Sequence, residues 1–235
     1  MSDGVRRHVP GLRREEVAAR AGISTTWYTW IEQGRDINKS LEVVEAIGRG
    51  LNLQPHEMAY IRNLADDDAA ARYEPNPAVP EALRALVESH REAPAYIATP
   101  RFDLLVWNEF MHSIFRYERD SDEFSRNILW RMFFDPSRRE TYVDWERAAR
   151  GGVAAFRTSY ARYCGHPAFD TLLAGLKKSR DFLRIWNRWE IAELGMPPFL
   201  VRTPELGVLE ISTIQATLDI APGCYLALFH CTKVD

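Results

Sequence analysis

Over the first 65 positions, apolar residues recur at three- and four-residue spacing in short stretches broken by glycines and polar turns. That pattern predicts four short helices, over residues 13–21, 25–33, 41–51 and 56–64. It breaks at DDDAAARYEPNPAVP, residues 66–80, where an acidic run, alanines and three prolines predict a linker. A helix-like stretch at 81–92 follows, then apolar runs at 95–98 and 102–107 and several helices between 108 and 188. Runs at 199–203, 208–218 and 224–232 predict strands, and Pro222 and Gly223 mark the turn before the last. The expected fold is mainly α: a helical domain over 1–65, a linker over 66–80, and an α+β domain over 81–235. In that second domain an antiparallel sheet would carry helices across one face.

Composition changes this picture little. Hydrophobic residues make up 46% and charged residues 27%, the balance of an ordinary globular protein. The formal charge of -3 excludes a global basic field, so a nucleic-acid interface would have to be local. Residues 1–65 hold 9 Lys+Arg against 8 Asp+Glu, and Arg6, Arg7, Arg13 and Arg14 crowd the first 14 positions. The start lacks the apolar core of a signal peptide, and no apolar run reaches the roughly 18 residues of a membrane span. With Cys164, Cys224 and Cys231 read as free thiols, the expectation is a cytoplasmic protein.

The first 35 residues carry the chemistry. Val17, Ala18 and Ala21 share one face of the first helix, and the two alanines let a second helix approach closely. Gly22 suits a helix C-terminus, Ile23 fills the angle, and Ser24 is an N-cap. In the second helix Tyr28 and Ile31 face inward, whereas Thr26, Thr29, Trp30 and Gln33 project outward. Hydroxyls, an amide and an indole suit base edges and thymine methyls in the major groove. The candidate base-reading surface is therefore Thr25, Thr26, Trp27, Thr29, Trp30 and Gln33. Arg13, Arg14, Arg35 and Lys39 flank it as candidate phosphate contacts. Trp30 has two readings, a DNA contact or a packing contact beneath the second domain.

The segment GLRREEVAARAGISTTWYTWIEQGRDI (11–37), followed by LEVVEAIGRGLNL (41–53), resembles the helix-turn-helix of XRE-type regulators of the MmyB-like group. The resemblance continues through FDLLVWN (102–108), RNILWRMFFDP (126–136), DWE (144–146), SRDFLRIW (179–186) and TPELGVLEI (203–211). It implies a λ-repressor-like DNA-binding domain and a PAS-like sensor domain. That sensor domain would have a hydrophobic cavity that takes a small, fatty-acid-like ligand. It also implies a role in transcription regulation; the expected partner is double-stranded operator DNA, bound by a homodimer. Two departures stand out: the first helix of the DNA-binding fold is expected to be missing, and Thr203 replaces a histidine common in the group.

Aromatic residues concentrate in the second domain, as an apolar pocket lining would require. Trp107, Phe110, Phe115, Trp130, Phe133, Phe134, Trp145, Phe156 and Trp186 are the candidate lining residues. Arg126, Asn127 and Arg157 are candidates for holding a carboxylate head. The same aromatics fit an ordinary core. Cys164 with His166, and His230 with Cys231, lack metal-ligand spacing, and no nucleotide-binding or hydrolase motif occurs. No cofactor, metal or catalytic centre is expected. The rival reading is a small-molecule or protein-binding module that does not engage DNA.

Overall fold

The computed structural model describes residues 11–35, 40–66, 68–118, 122, 124–191 and 198–234. They divide into two compact units, Met1–Asp66 and Asp67–Asp235.

In the first unit, helices α1 (Arg14–Ala21), α2 (Thr25–Glu32), α3 (Leu41–Gly50) and α4 (Pro55–Leu64) lie within two residues of their expected bounds. Local chemistry sets their ends. The Arg13 N–H donates to the Glu16 carboxylate across the first turn of α1 (2.8 Å). Gly22 closes that helix in the left-handed region, φ 68°, where a Cβ would be strained. Ser24 Oγ then accepts from the Trp27 N–H at 3.1 Å to open α2. Ser24→Ala is expected to cost the helical unit about 1 kcal/mol, read as a lower denaturation midpoint by circular dichroism, with Ser24→Asp retaining the wild-type value. Val17, Ala18 and Tyr28 form the small core, with Ile23 and Ile47 packed on it. At Gly50 a β-carbon would stand 3.3 Å from the Ala21 nitrogen, so α3 crosses α1 with almost no side chain between them.

The second unit runs from a 3-10 turn at Ala70–Arg72 through α5 (Glu81–Ser89), β1 (Ala95–Ala98) and β2 (Leu104–Trp107). Six helices follow: α6 (Glu109–Phe115), α7 (Ile128–Phe134), α8 (Ser137–Thr141), α9 (Trp145–Arg162), α10 (Pro167–Leu176) and α11 (Arg180–Trp186). Strands β3 (Phe199–Thr203), β4 (Gly207–Thr217) and β5 (Tyr225–Lys233) complete it. The five strands make one antiparallel sheet in the order β2-β1-β5-β4-β3, with Ile97 paired to both Val106 and Leu226. This is the PAS-like α+β arrangement that the resemblance implies.

Pleating sends alternate residues to opposite faces. Tyr96, Ala98, Trp107, Val201, Ile211, Ala227 and Phe229 line the inner face together with Met111, Ile114 and Phe115 of α6. Ala95, Ile97, Val106 and Leu226 point the other way, onto Leu83 and Val87 of α5. Helices therefore cover both faces rather than the single face expected, because β1 is apolar on both sides and its outer residues need a partner.

Beside the inner face lies a helical layer centred on α9, whose buried residues Trp145, Ala149, Val153 and Phe156 follow a helical stripe. Phe169, Leu172, Leu176, Phe182 and Ile185 of α10 and α11 pack with it. The segment 68–80 is more than a linker. Ala69 and Tyr73 are buried in this layer, the Tyr73 ring meeting His166 and Phe169 edge-on at centroid distances of 4.8 and 4.9 Å. One aromatic residue supplies enough apolar surface to anchor a stretch whose proline and acidic content reads as loop.

Candidate DNA-binding and ligand-binding sites

In the helical unit, Tyr28 is buried and Ile31 half-buried, which turns the opposite side of α2 outward. Thr25, Thr26, Trp30 and Gln33 are exposed, and Trp27 and Thr29 are half-buried. Thr29 Oγ1 donates back to the Thr25 carbonyl at 2.8 Å, so its hydroxyl is held against the helix and its methyl is left to face outward. Trp30 is 37% exposed, and the Arg35 guanidinium lies over its ring at 5.5 Å while Arg35 Nε donates to Gln33 Oε1. Arg14 does not stand free for phosphate: its Nε donates to the Glu32 carboxylate and ties α1 to α2. That bond holds Glu32 below the usual carboxylate range. Arg13 is exposed beside Glu15 at 3.7 Å. Lys39 lies outside the described residues.

In the second unit the aromatic candidates do not converge on one site. Phe156 is fully buried in the helical layer with Trp145, and Phe133 and Trp186 pack against it. Trp145 Nε1 donates to the Met132 carbonyl (3.0 Å), as a buried indole must. Trp107 and Phe115 belong to the sheet's inner face, with Phe110 half-buried beside them. Two of the three expected head-group residues, Arg157 and Asn127, serve the fold. Arg157 is buried, donating from Nε to the Glu190 carbonyl (3.1 Å) and from Nη2 to that of Trp186, with its guanidinium over the Trp186 ring. Asn127 caps α7 by accepting from the Trp130 N–H and donates to the Arg101 carbonyl and Asp103 Oδ1, all at 2.8 Å. Arg126 is half-buried beside it, its Nε without a hydrogen-bond partner among the described residues. Asn127 is drawn in by the buried β1–β2 turn, where the Arg101 carbonyl needs a donor.

Two of the candidates do meet at an open groove. Trp130 and Phe134 line it with Arg116, Arg131, Asp135 and Pro136, around a volume of about 450 Å³. Trp130 stacks between Phe124 (4.6 Å, 28°) and Phe134 (4.2 Å, 25°). Arg131 Nε donates to Asp135 at 3.0 Å and its Nη1 to the Arg116 carbonyl at 2.6 Å. Behind this wall Arg138, 1% exposed, donates from Nη2 to the Phe115 carbonyl and stands 3.5 Å from Asp135. Burial pushes the Asp135 carboxyl up, but the Ser137 hydrogen bond and the two guanidiniums outweigh it and hold it below the ordinary range. The i,i+4 and i,i+3 spacing of Arg131, Asp135 and Arg138 was readable as an ion-pair pattern. Its burial was not, and none of the three was among the residues singled out.

A recognition helix with an exposed polar face, joined in one chain to a PAS-like α+β unit, defines a helix-turn-helix transcription regulator with a ligand-binding domain. Residues 5–61 match the helix-turn-helix domain family, and residues 79–235 match the MmyB-like transcription regulator ligand binding domain. The chain belongs to the MmyB-like transcription regulators. Neither matched domain is an enzyme domain. No curated protein matches the chain. Among the described residues no helix is long and apolar enough to cross a membrane.

Proposed function

We propose that this protein is a cytoplasmic homodimer that binds operator DNA through α2 and responds to a small hydrophobic ligand, such as a fatty acid, held in its C-terminal unit. The observation that carries the DNA reading is the outward face of α2, where Thr26, Trp30 and Gln33 are exposed on a helix anchored from behind by Tyr28. Dimeric helix-turn-helix proteins place two such helices about 34 Å apart, one turn of duplex. Ligand occupancy can alter operator affinity only by differing in affinity for the DNA-competent and incompetent states.

Fluorescence anisotropy with duplex DNA from upstream of the protein's own gene tests this. Wild-type binding is expected to saturate, to survive competitor DNA and to weaken steeply between two salt concentrations. Replacing Thr26 and Gln33 together by alanine is expected to weaken specific binding about 10- to 100-fold, the worth of base-edge contacts, with nonspecific binding unchanged. Equal losses on specific and random DNA would remove α2 from base reading.

A further inference from the structure

The groove beside α7 carries chemistry that the aromatic core does not. Its volume of about 450 Å³ suits a small molecule. One side is an aromatic stack that ends at Phe134, which is 38% exposed and lines the groove. The other side is charged. Among the described residues Arg116 and Arg131 line it with Asp135 and Glu118, and the buried Arg138 stands behind Asp135. The guanidinium of Arg116 has no hydrogen-bond or ion-pair partner among the described residues. It is carried by a residue in the left-handed region, φ 50°, at the C-terminal end of α6. Independently, Nε and Nη1 of the buried Arg138 have no hydrogen-bond partner among the described residues, although its Nη2 reaches Phe115 and Asp135. Its guanidinium is covered by the Phe115 and Tyr117 rings at 5.3 and 5.1 Å. Ring faces compensate a cation only in part, so Asp135 answers the two guanidiniums of Arg131 and Arg138 incompletely. A neutral apolar guest leaves that imbalance as it is, and an anionic one reduces it.

We propose that the groove binds a planar aromatic carboxylate, its ring stacked on Phe134 and its carboxylate paired with Arg116. The proposal rests on the ligand-responsive reading of the C-terminal unit and narrows its ligand class. Stacking supplies orientation and the guanidinium fork supplies discrimination for the acid. Arg131 and Arg138 act as fixed positive charges behind the contact.

Isothermal titration of the full chain with 2-naphthoate, with the neutral 2-naphthylmethanol and with dodecanoate tests it. Wild type is expected to bind the naphthoate at least about tenfold more tightly than the alcohol. Arg116→Ala should abolish that preference, Arg116→Lys should restore part of it, and Phe134→Ala should weaken acid and alcohol alike. Arg116 is exposed, so thermal melts of its two variants should overlay on wild type, whereas Phe134→Ala also loses the stack on Trp130 and is titrated well below its own melting transition. Equal binding of acid and alcohol, or a naphthoate affinity untouched by Arg116→Ala, overturns the proposal. Binding of dodecanoate alone, insensitive to both substitutions, overturns it too but leaves the ligand-responsive reading standing. If none of the three probes binds, the proposal is overturned and the ligand-responsive reading stands.

Discussion

Replacing Gly50 by leucine is expected to unfold the helix-turn-helix and abolish operator binding, with the C-terminal unit still folded. The cause is the α1–α3 crossing. A β-carbon at position 50 would already stand 3.3 Å from the Ala21 nitrogen and the Arg20 Cβ, and 3.4 Å from the Val17 carbonyl oxygen. Two of those three atoms are backbone and cannot turn aside, so a whole isobutyl group must push the helices apart. Overpacking of this kind costs about 1–3 kcal/mol in large cores. Here it falls on a unit whose buried centre is Val17, Ala18 and Tyr28, and small units hold little stability in reserve. Operator affinity should drop more than about a hundredfold in anisotropy, with the loss of helical signal confined to the amount this unit contributes. Gly50→Ala is the graded control. Alanine favours the helix by about 1 kcal/mol over glycine, against a contact that must yield by a few tenths of an ångström, so a near-neutral result is expected. A leucine variant that binds operator normally would mean that α1 and α3 do not cross as described.

The second large effect is expected at Asn127, and it should appear as lost stability rather than lost ligand affinity. The side chain is fully buried and makes three hydrogen bonds of 2.8 Å, to the Trp130 N–H, the Arg101 carbonyl and Asp103 Oδ1. Asn127→Ala leaves these groups without that partner, and a buried group left unsatisfied costs about 1–3 kcal/mol. With shared losses in one network, a total of about 3 kcal/mol is expected. For a unit of this size that lowers the melting temperature by about 6–12 °C. Ligand titration below the transition should give wild-type affinity. An unchanged melting temperature with weakened ligand binding would instead return Asn127 to the ligand site.

Asn127 also shows where sequence reading stops. Arg126, Asn127 and Arg157 are the residue types that would hold a carboxylate, and nothing local distinguishes a head-group ligand from a side chain that satisfies the fold. The difference lies in the partners. For Asn127 these are Arg101, Asp103 and the first turn of its own helix. For Arg157 they are the carbonyls of Trp186 and Glu190, about thirty positions away. Aromatic density likewise could not separate Phe156, which is fully buried, from Phe134, which faces a groove. Both lie on short-period apolar helices, and only the neighbouring elements decide which one is covered.

The helix-turn-helix lies at the other extreme. Gly22, Ser24, the small face of Val17 and Ala18, and the inward pair Tyr28 and Ile31 are all local requirements of two short helices meeting at a turn. Caps and periodicity act within a few residues, so the sequence by itself determined these elements, the strand at 199–203 and the division into a helical and an α+β part. Tertiary structure alone decided the rest. The strand order, the covering of the sheet by α5, the capture of Tyr73, and the meeting of Arg116 with Arg131 and Phe134 depend on contacts between distant segments. Such contacts are chosen by which surfaces can be buried together, and no window along the chain contains that information.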